Sequence, residues 1–342
     1  MKRYDGVDLH KNNFQVCYLG KKEEKQSTYR VSQEGIKKFK LDLKKTDKVG
    51  IEATGNARYL AGEIAEAVKR VVIINPWQFK VISQSVKKTD SEDAKTIAKY
   101  LSKDLVPEVR MRSKRDQQIS SLITTRDKLV KLRTTLKNKI HGILSMNGYV
   151  TKKEMFSSAK SLKRIADLDL DEAYKFELQV ISEQIESLNK SIEKITEELT
   201  RRGKGLKGYR NLKSITGIGD ISATIMLNTI GEVKDFDNED KLSAYFGIVP
   251  RVSNSNETIR HGRITKMGNK IARTALVQST LIAIRYNPYL RAFYDRLKAK
   301  KGSGKAIIAT SRKLLAIIYR ALKYDLVYED FNRYQLEVTQ IK

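Results

Sequence analysis

One cysteine, Cys17, and three histidines, His10, His141 and His261, are all that this sequence of 342 residues holds of the thiolate and imidazole ligands that build zinc sites. A single cysteine excludes an intramolecular disulfide and a cysteine-based zinc site, and the histidines are too scattered to suggest one. No apolar run approaches the roughly 20 residues of a spanning helix. The first residues, "MKRYDGVDLHKNNF", lack the apolar core of a signal peptide. These absences predict a soluble, non-secreted, cytoplasmic protein with no membrane partner. Acids are scarce beside bases: 40 Asp and Glu face 67 Lys and Arg, leaving a formal charge of +27. That excess favours a polyanionic partner, nucleic acid first, over a basic membrane-surface role. With 40% hydrophobic residues the chain is no disordered basic tail, and its length suggests about two domains.

What is present divides by texture into three parts, residues 1–110, 111–202 and 203–342. In the first, "RYDGVDLH", "NFQVCYLG", "STYRVS", "KVGIEATG" and "RVVIINP" read as short strands, the first two joined by a polar "KNN" turn. Helical spacing in "ARYLAGEIAEAVKR" between two of them makes a βαβ arrangement, so an α/β domain with a mixed sheet is expected, with Cys17 as strand filling. In the middle part Ile119, Leu122, Leu129, Leu136, Ile140 and Ile143 mark a long helix whose seam is interrupted by Arg126 and Arg133. Tyr174, Leu178, Ile181, Ile185, Leu188, Ile192, Ile195 and Leu199 keep heptad spacing without a break. An antiparallel coiled coil follows, within one chain or between chains, serving mainly as a spacer, with the two arginines open to nucleic-acid contact. The segment "RRGKGLKGYR" reads as a basic linker and domain boundary.

The third part is mostly helical and opens on "LKSITGIGDISATIMLNTIG", spaced as a helix-hairpin-helix around Gly217 and Gly219. Such a turn frees backbone N–H groups for a phosphate; an ordinary corner between helices needs the same glycines. Further on, "KAKKGSGKA" reads as a flexible basic loop, since Gly-Ser-Gly-Lys here lacks the Walker spacing of an ATP site.

The acids that do occur are clustered. "KKTDSEDAKTIAKYL" packs Asp90, Glu92 and Asp93 into four residues. If the helix begins at Ser91, Asp90 caps it one turn from Asp93 on the same face, and carboxylates that close repel unless a cation lies between them. Asp8, with Asp5 as competitor, sits in the first strand, and Glu52 ends an apolar one. Two strand acids and an Asp-x-x-Asp pair in one domain could converge on divalent cations of the Mg²⁺ type and act on a phosphodiester. Helix-dipole and turn roles are the plain alternatives for each acid.

The ordered motifs "GVDLHK", "IEATG", "KKTDSEDAKTIA", "GIGDISA" and "LSAYFGIVPRVSNSNETIRHGRITKMGNKIARTAL" resemble those of the bridge-RNA-guided bacterial insertion-sequence transposases. That family joins an N-terminal RuvC-like DEDD domain to a C-terminal serine-bearing transposase domain. The resemblance implies a ribonuclease-H-like fold around a tetrad of Asp8, Glu52, Asp90 and Asp93, binding Mg²⁺ or Mn²⁺, with Glu92 a bystander. It implies donor and target DNA and a structured noncoding guide RNA as partners, a dimeric or tetrameric assembly, and residence near the bacterial nucleoid.

By the same resemblance the nucleophile is Ser255, which would form a covalent phosphoserine with DNA. Asn256 stands where the family has glycine, so Ser253 stays a competitor. Arg260, Arg263, Lys266, Lys270 and Arg273 crowd the following residues with a density suited to gripping a scissile phosphate, Arg263 and Lys266 lying within the family's own motif. A solvated basic face is the alternative for such lysines and arginines. Two other readings remain: a DEDD nuclease or junction resolvase that uses water, and a non-enzymatic nucleic-acid-binding relative.

Overall fold

The computed structural model describes all residues except 1, 22, 77, 80–88, 110–112, 153–154, 157–160, 163, 165–166, 256–257 and 335–342, and of 252–261 it describes no side chains. The chain divides into two compact units, Met1–Arg112 and Ser113–Lys342.

The first unit is built on a five-stranded mixed sheet in the order β3-β2-β1-β4-β5. Its strands are β1 (Tyr4–Leu9), β2 (Asn13–Leu19), β3 (Glu24–Arg30), β4 (Lys48–Glu52) and β5 (Arg70–Ile74). β1, β2 and β3 pair antiparallel, whereas β1, β4 and β5 run parallel, as the alternation of apolar strands and crossover helices requires. Strand side chains alternate between faces, and the sequence uses both. Val7, Leu9, Val49 and Ile51 pack toward one core with Phe39 of α1 (Gln33–Asp42) and Leu60 of α2 (Ala57–Ile64). Val72 and Ile74 join Ile97 and Leu101 of α3 (Asp90–Ser102) in the other.

Cys17 is buried with Ala94 and Ala98, and burial pushes its thiol up to about 11, which agrees with a filling role. Asp5 belongs to the α1–α2 side, three residues from Asp8 and so on the opposite face. It is fully buried beside Arg3 (Nε to Oδ1, 3.1 Å), whose guanidinium also meets Asp47 at 2.5 Å.

Two glycines open the α3 face. A Cβ on Gly6 would stand 2.1 Å from the Ala94 carbonyl oxygen and 2.5 Å from the Ala98 nitrogen. One on Gly50 would meet Ile97 at 3.0 Å. The helix therefore lies almost on the sheet backbone. Its N-cap is Thr89, whose hydroxyl accepts from the Glu92 N–H, and not Asp90, which is the first helical residue.

Among the described residues the second unit is helical apart from one hairpin, β6 (Pro250–Ser255) and β7 (Thr258–Ile264). Two long helices, α4 (Lys114–Met146) and α5 (Glu172–Lys204), run antiparallel within the one chain. Arg126 donates to Thr196 Oγ1 at 2.7 Å, Arg133 to Asn189 Oδ1 at 2.8 Å, and Lys139 pairs with Glu177 at 3.0 Å. Arg126 and Arg133 thus complete the seam between helices, and burial holds the Arg126 guanidinium below its ordinary value.

Part of the expected linker is helix. α5 continues through Arg201 and Arg202, which grip Glu198, to Gly203, where a Cβ would strike the Thr224 hydroxyl at 1.9 Å. Then follow α6 (Tyr209–Lys213), α7 (Asp220–Ile230), α8 (Glu239–Tyr245), α9 (Lys270–Tyr286), α10 (Pro288–Lys301) and α11 (Ser303–Lys323). Ile119 and Ile123 of α4 and Leu199 of α5 share a core with these helices, which explains why the pair and the C-terminal helices form one unit. The expected loop "KAKKGSGKA" is a helix junction, in which Gly302 with φ +78° turns α10 into α11.

Candidate active site

Asp8 lies at the end of β1 on the face covered by α3, with Gly6 two residues before it and His10 two residues after. The parallel register pairs Gly6 with Gly50 and Val7 with Ile51, so Asp8 and Glu52 follow side by side at the ends of neighbouring strands. In open α/β sheets these carboxyl ends are where ligands bind. The first turn of α3 brings Asp90 and Asp93 to the same place. Asp8, His10 and Asp90 offer ligand atoms within 4.8 Å of one another, a group that could hold a metal ion.

The electrostatics are those of crowded carboxylates partly offset by one histidine. Burial pushes the Asp8 carboxyl above its ordinary value; His10 pulls the other way, and Asp90 and Asp93 add to the rise. Burial also raises Glu52, with Asp8 and Asp93 reinforcing it and His10 opposing. His10 Nε2 stands 3.0 Å from Asp8 Oδ2 and 3.3 Å from Asp90 Oδ1. Burial disfavours the charged ring, but the two carboxylates outweigh it and hold the imidazole above its usual value. Asp90 keeps 66% of its side chain exposed, so the cluster is open to solvent on the α3 side.

His10 is the residue that reading by motif passes over, because in the sequence it is one of three scattered histidines. Period-two alternation from Gly6 through Asp8 would have placed it on the same face. Glu92, by contrast, is exposed and acts on Lys95. Asp5 is removed from the cluster altogether by its position on the opposite face.

In the second unit the cations take different paths. Arg263 and Lys266 are exposed beside the end of β7. Lys266 holds a left-handed φ of 55°, fixed by its N–H to the Gly247 carbonyl at 3.0 Å. A Cβ on Gly247 would lie 2.6 Å from the Met267 carbonyl oxygen, so the turn is clamped against that glycine. Lys270 is exposed at the first position of α9, capped by Asn269. Arg273 turns inward and donates to the Phe246 carbonyl at 3.0 Å, and burial lowers its pKa.

Ser255 pairs with Thr258 and Ser253 with Arg260 along the hairpin. The side chains of Ser253, Ser255 and Arg260, and all of Asn256, lie outside the described residues. Gly217, at φ +104°, packs against α9, where a Cβ would meet the Ser279 carbonyl oxygen at 2.7 Å. Gly219 caps α7 with open space around it. The Asp220 carboxylate stands at that helix N-terminus, bonded to Lys213 at 2.8 Å and to the Tyr209 hydroxyl at 2.6 Å. Among the described residues no helix is long and apolar enough to cross a membrane.

Comparison with known proteins bears on both units. Residues 6–147 match a DEDD transposase family, described as "Transposase", and residues 209–295 match the "Transposase IS116/IS110/IS902 family". The chain is 27% identical to the transposase for insertion sequence element IS1111A of Coxiella burnetii, over 94% of this chain and 90% of that protein. It is 26% identical to the pilin gene-inverting protein of Moraxella bovis, over 96% of this chain and 98% of that one. The transposase for insertion sequence element IS1328 of Yersinia enterocolitica is 26% identical over 87% and 85%. Two family matches fall in order along the one chain and the relatives align across both units, so the chain is similar to IS110/IS116 family transposases, with the DEDD match in its first part.

Proposed function

We propose that this transposase cleaves and rejoins DNA through a covalent phosphoserine on Ser255, assisted by divalent metal at Asp8, Glu52, Asp90 and Asp93 and guided by a structured noncoding RNA. The observation that carries the reading is the convergence of those acids at the carboxyl ends of β1 and β4, where among the described residues His10 is the cation opposing the repulsion on Asp8 and Glu52. The mixed sheet, with its antiparallel β1–β3 and parallel β1, β4 and β5, supports a ribonuclease-H-like, RuvC-like reading of the first unit.

Carboxylate oxygens are hard donors suited to Mg²⁺ or Mn²⁺, and a divalent ion would offset the charge that burial and crowding leave on Asp8 and Glu52. Asp8, Glu52, Asp90 and Asp93 would hold it, and its chemistry there is Lewis-acid polarisation of a phosphate oxygen. The Ser255 oxygen attacks phosphorus, the bond to the departing deoxyribose oxygen breaks, and the serine proton ends on that oxygen as a strand-end hydroxyl. Attack of another hydroxyl on the phosphoserine reverses the step and releases the serine. Arg263 and Lys266 position the phosphate, with Arg260 and Lys270 beside them in sequence. Donor and target DNA, the guide RNA, a dimer or tetramer and cytoplasmic residence at the nucleoid complete the reading, supported by the charge of +27 and the family.

A DNA substrate nicked beside the cleavage point tests the chemistry, because the broken strand leaves before it can be rejoined. The trapped adduct should map by mass spectrometry to "VSNSNETIR", vanish in Ser255→Ala and persist in Ser253→Ala. Clean hydrolysis without an adduct, undiminished when both serines are replaced, would establish instead the nuclease or resolvase in which water attacks at the carboxylates. The metal is tested separately. Mg²⁺ at tenfold its dissociation constant should stabilise the folded chain by about 1.4 kcal/mol, and Asp8→Asn should abolish that shift without unfolding the protein.

A further inference from the structure

The second unit holds a cleft of about 920 Å³ between the base of the β6–β7 hairpin and the junction of α10 with α11. Its floor is apolar, with Ile264 of β7 and Ile308 of α11 half-buried at its surface and Ile248 fully buried behind them. Six cations line it: Arg263, Lys266, Lys300, Lys301, Lys305 and Arg312. Arg312 is held by Asp240 at 3.2 Å. Among the described residues lining the cleft there is no carboxylate to neutralise the other five. The first turn of α11 opens here at Gly304 and Lys305 and carries no acid, so the positive end of a 21-residue helix adds to the field.

We propose that this cleft seats a single-stranded segment of DNA, with phosphates on the lysines of the α10–α11 junction and sugars and bases over the isoleucine floor. The inference rests on the transposase reading and adds to it Lys300, Lys301 and Lys305, which the sequence motifs do not include. The combination of floor and rim selects the ligand. Duplex DNA keeps its bases stacked inside and presents phosphates outward, so it would leave the apolar floor uncovered. An unpaired strand can turn its bases toward such a surface, as single-strand binders do with apolar and aromatic platforms. Arg263 and Lys266 belong both to this cleft and to the turn after the serine-bearing hairpin, so a strand seated here runs toward that hairpin along one basic surface.

The test is fluorescence anisotropy on the full-length Ser255→Ala chain with metal chelated, using a short labelled thymidine oligonucleotide, its duplex and a uridine oligoribonucleotide. Because nothing is cut under these conditions, the measurement stands whether or not the phosphoserine chemistry does. The triple change Lys300→Glu, Lys301→Glu, Lys305→Glu should weaken single-strand DNA binding by about tenfold or more, since each lost phosphate contact removes a share of counterion release. Lys175→Glu, Lys190→Glu, Lys194→Glu, on exposed positions of α5, changes the net charge equally and should cost much less. Duplex binding should fall no further in the cleft variant than in this control. A triple alanine variant at the cleft, with an unchanged melting temperature, guards against misfolding and should show the same preference. Equal losses in cleft and control variants, equal losses for duplex and single strand, or a loss confined to the RNA would each overturn the proposal. Absence of any nucleic-acid binding by the starting chain would instead count against the transposase reading.

Discussion

The two units carry charge in opposite ways. In the first, acids are placed by backbone: β1 and β4 end at Asp8 and Glu52, and α3 brings Asp90 and Asp93 against them because Gly6 and Gly50 let it lie on the sheet. In the second, Arg263, Lys266 and Lys270 stand exposed on a turn and a helix start, held by a few backbone bonds. Carboxylates fixed this closely carry a cost of burial and mutual repulsion. Lysines and arginines can instead keep their charged heads in water on flexible stems. Close placement of charge therefore belongs to the first unit and solvated charge to the second.

The contrast is broken most severely at Gly6. In Gly6→Ala the new methyl would stand 2.1 Å from one backbone atom of α3 and 2.5 Å from another, with no flexible side chain to yield. The helix must lift, carrying Asp90 and Asp93 with it. Overpacking of this kind costs about 3 kcal/mol or more, read as a fall in melting temperature of the first unit exceeding roughly 10 °C. Strand cleavage should be lost at temperatures where the variant still folds. Gly219→Ala in the second unit, with open space around it, should cost less than about 1 kcal/mol. Similar losses from both would mean that the close approach of α3 does not set the site.

Much of this was legible in the sequence, and the failures have physical causes. The strands were legible because alternation and turn residues are local, and the "KNN" turn closes as expected through the His10 N–H to the Asn13 carbonyl at 3.0 Å. The cap of α3 was not, because Thr89 and Asp90 are both good capping residues and only φ decides between them; Thr89 is extended at −136°, like the α1 cap Ser32 at −138°, whereas Asp90 is already helical. The extension of α5 through "RRGK" was hidden because Gly203 looks like a breaker until Thr224 is packed against it. The Gly302 junction resembled a loop for the same reason: composition shows a turn, and only tertiary packing shows two helices meeting there. Arg126 and Arg133 looked available for nucleic acid because the sequence does not show Thr196 and Asn189 across from them.

A subtler difference within the first unit concerns its two buried acid groups. Asp5 and Asp47, both fully buried, share the one guanidinium of the half-buried Arg3, so the cluster balances its charge when Asp5 keeps its proton. Burial accordingly pushes Asp5 up to about 8; Arg3 opposes the rise and Asp47 adds to it. A carboxyl raised in the folded state holds a proton that the unfolded chain releases near its ordinary value of 3.8. Stability therefore falls as pH climbs from that value toward about 8 and then levels, by at most about 1.4 kcal/mol per pH unit from this group. Asp5→Asn should flatten the decline, measured as melting temperature against pH with metal chelated. Curves for the two proteins that stay parallel across this window would show that Asp5 ionises normally.

The smallest effect is predicted one residue from the largest chemistry. Glu92 is exposed on α3 and acts on Lys95, whereas Asp93 acts on both Asp8 and Glu52. Glu92→Ala removes one carboxylate from the start of a helix, worth about 0.3–1 kcal/mol through the dipole, and leaves the Thr89 cap intact because that bond uses the backbone N–H. Cleavage should stay within about twofold of the parent, since a change of about 0.4 kcal/mol in the barrier is all that twofold requires. Asp93→Ala should lower cleavage beyond detection while the fold persists, because one side chain leaves and no backbone contact does. Both variants lose the same charge from the same helical turn, so only the face they occupy separates them. Inactive Glu92→Ala beside active Asp93→Ala would show that α3 presents its other face to Asp8 and Glu52.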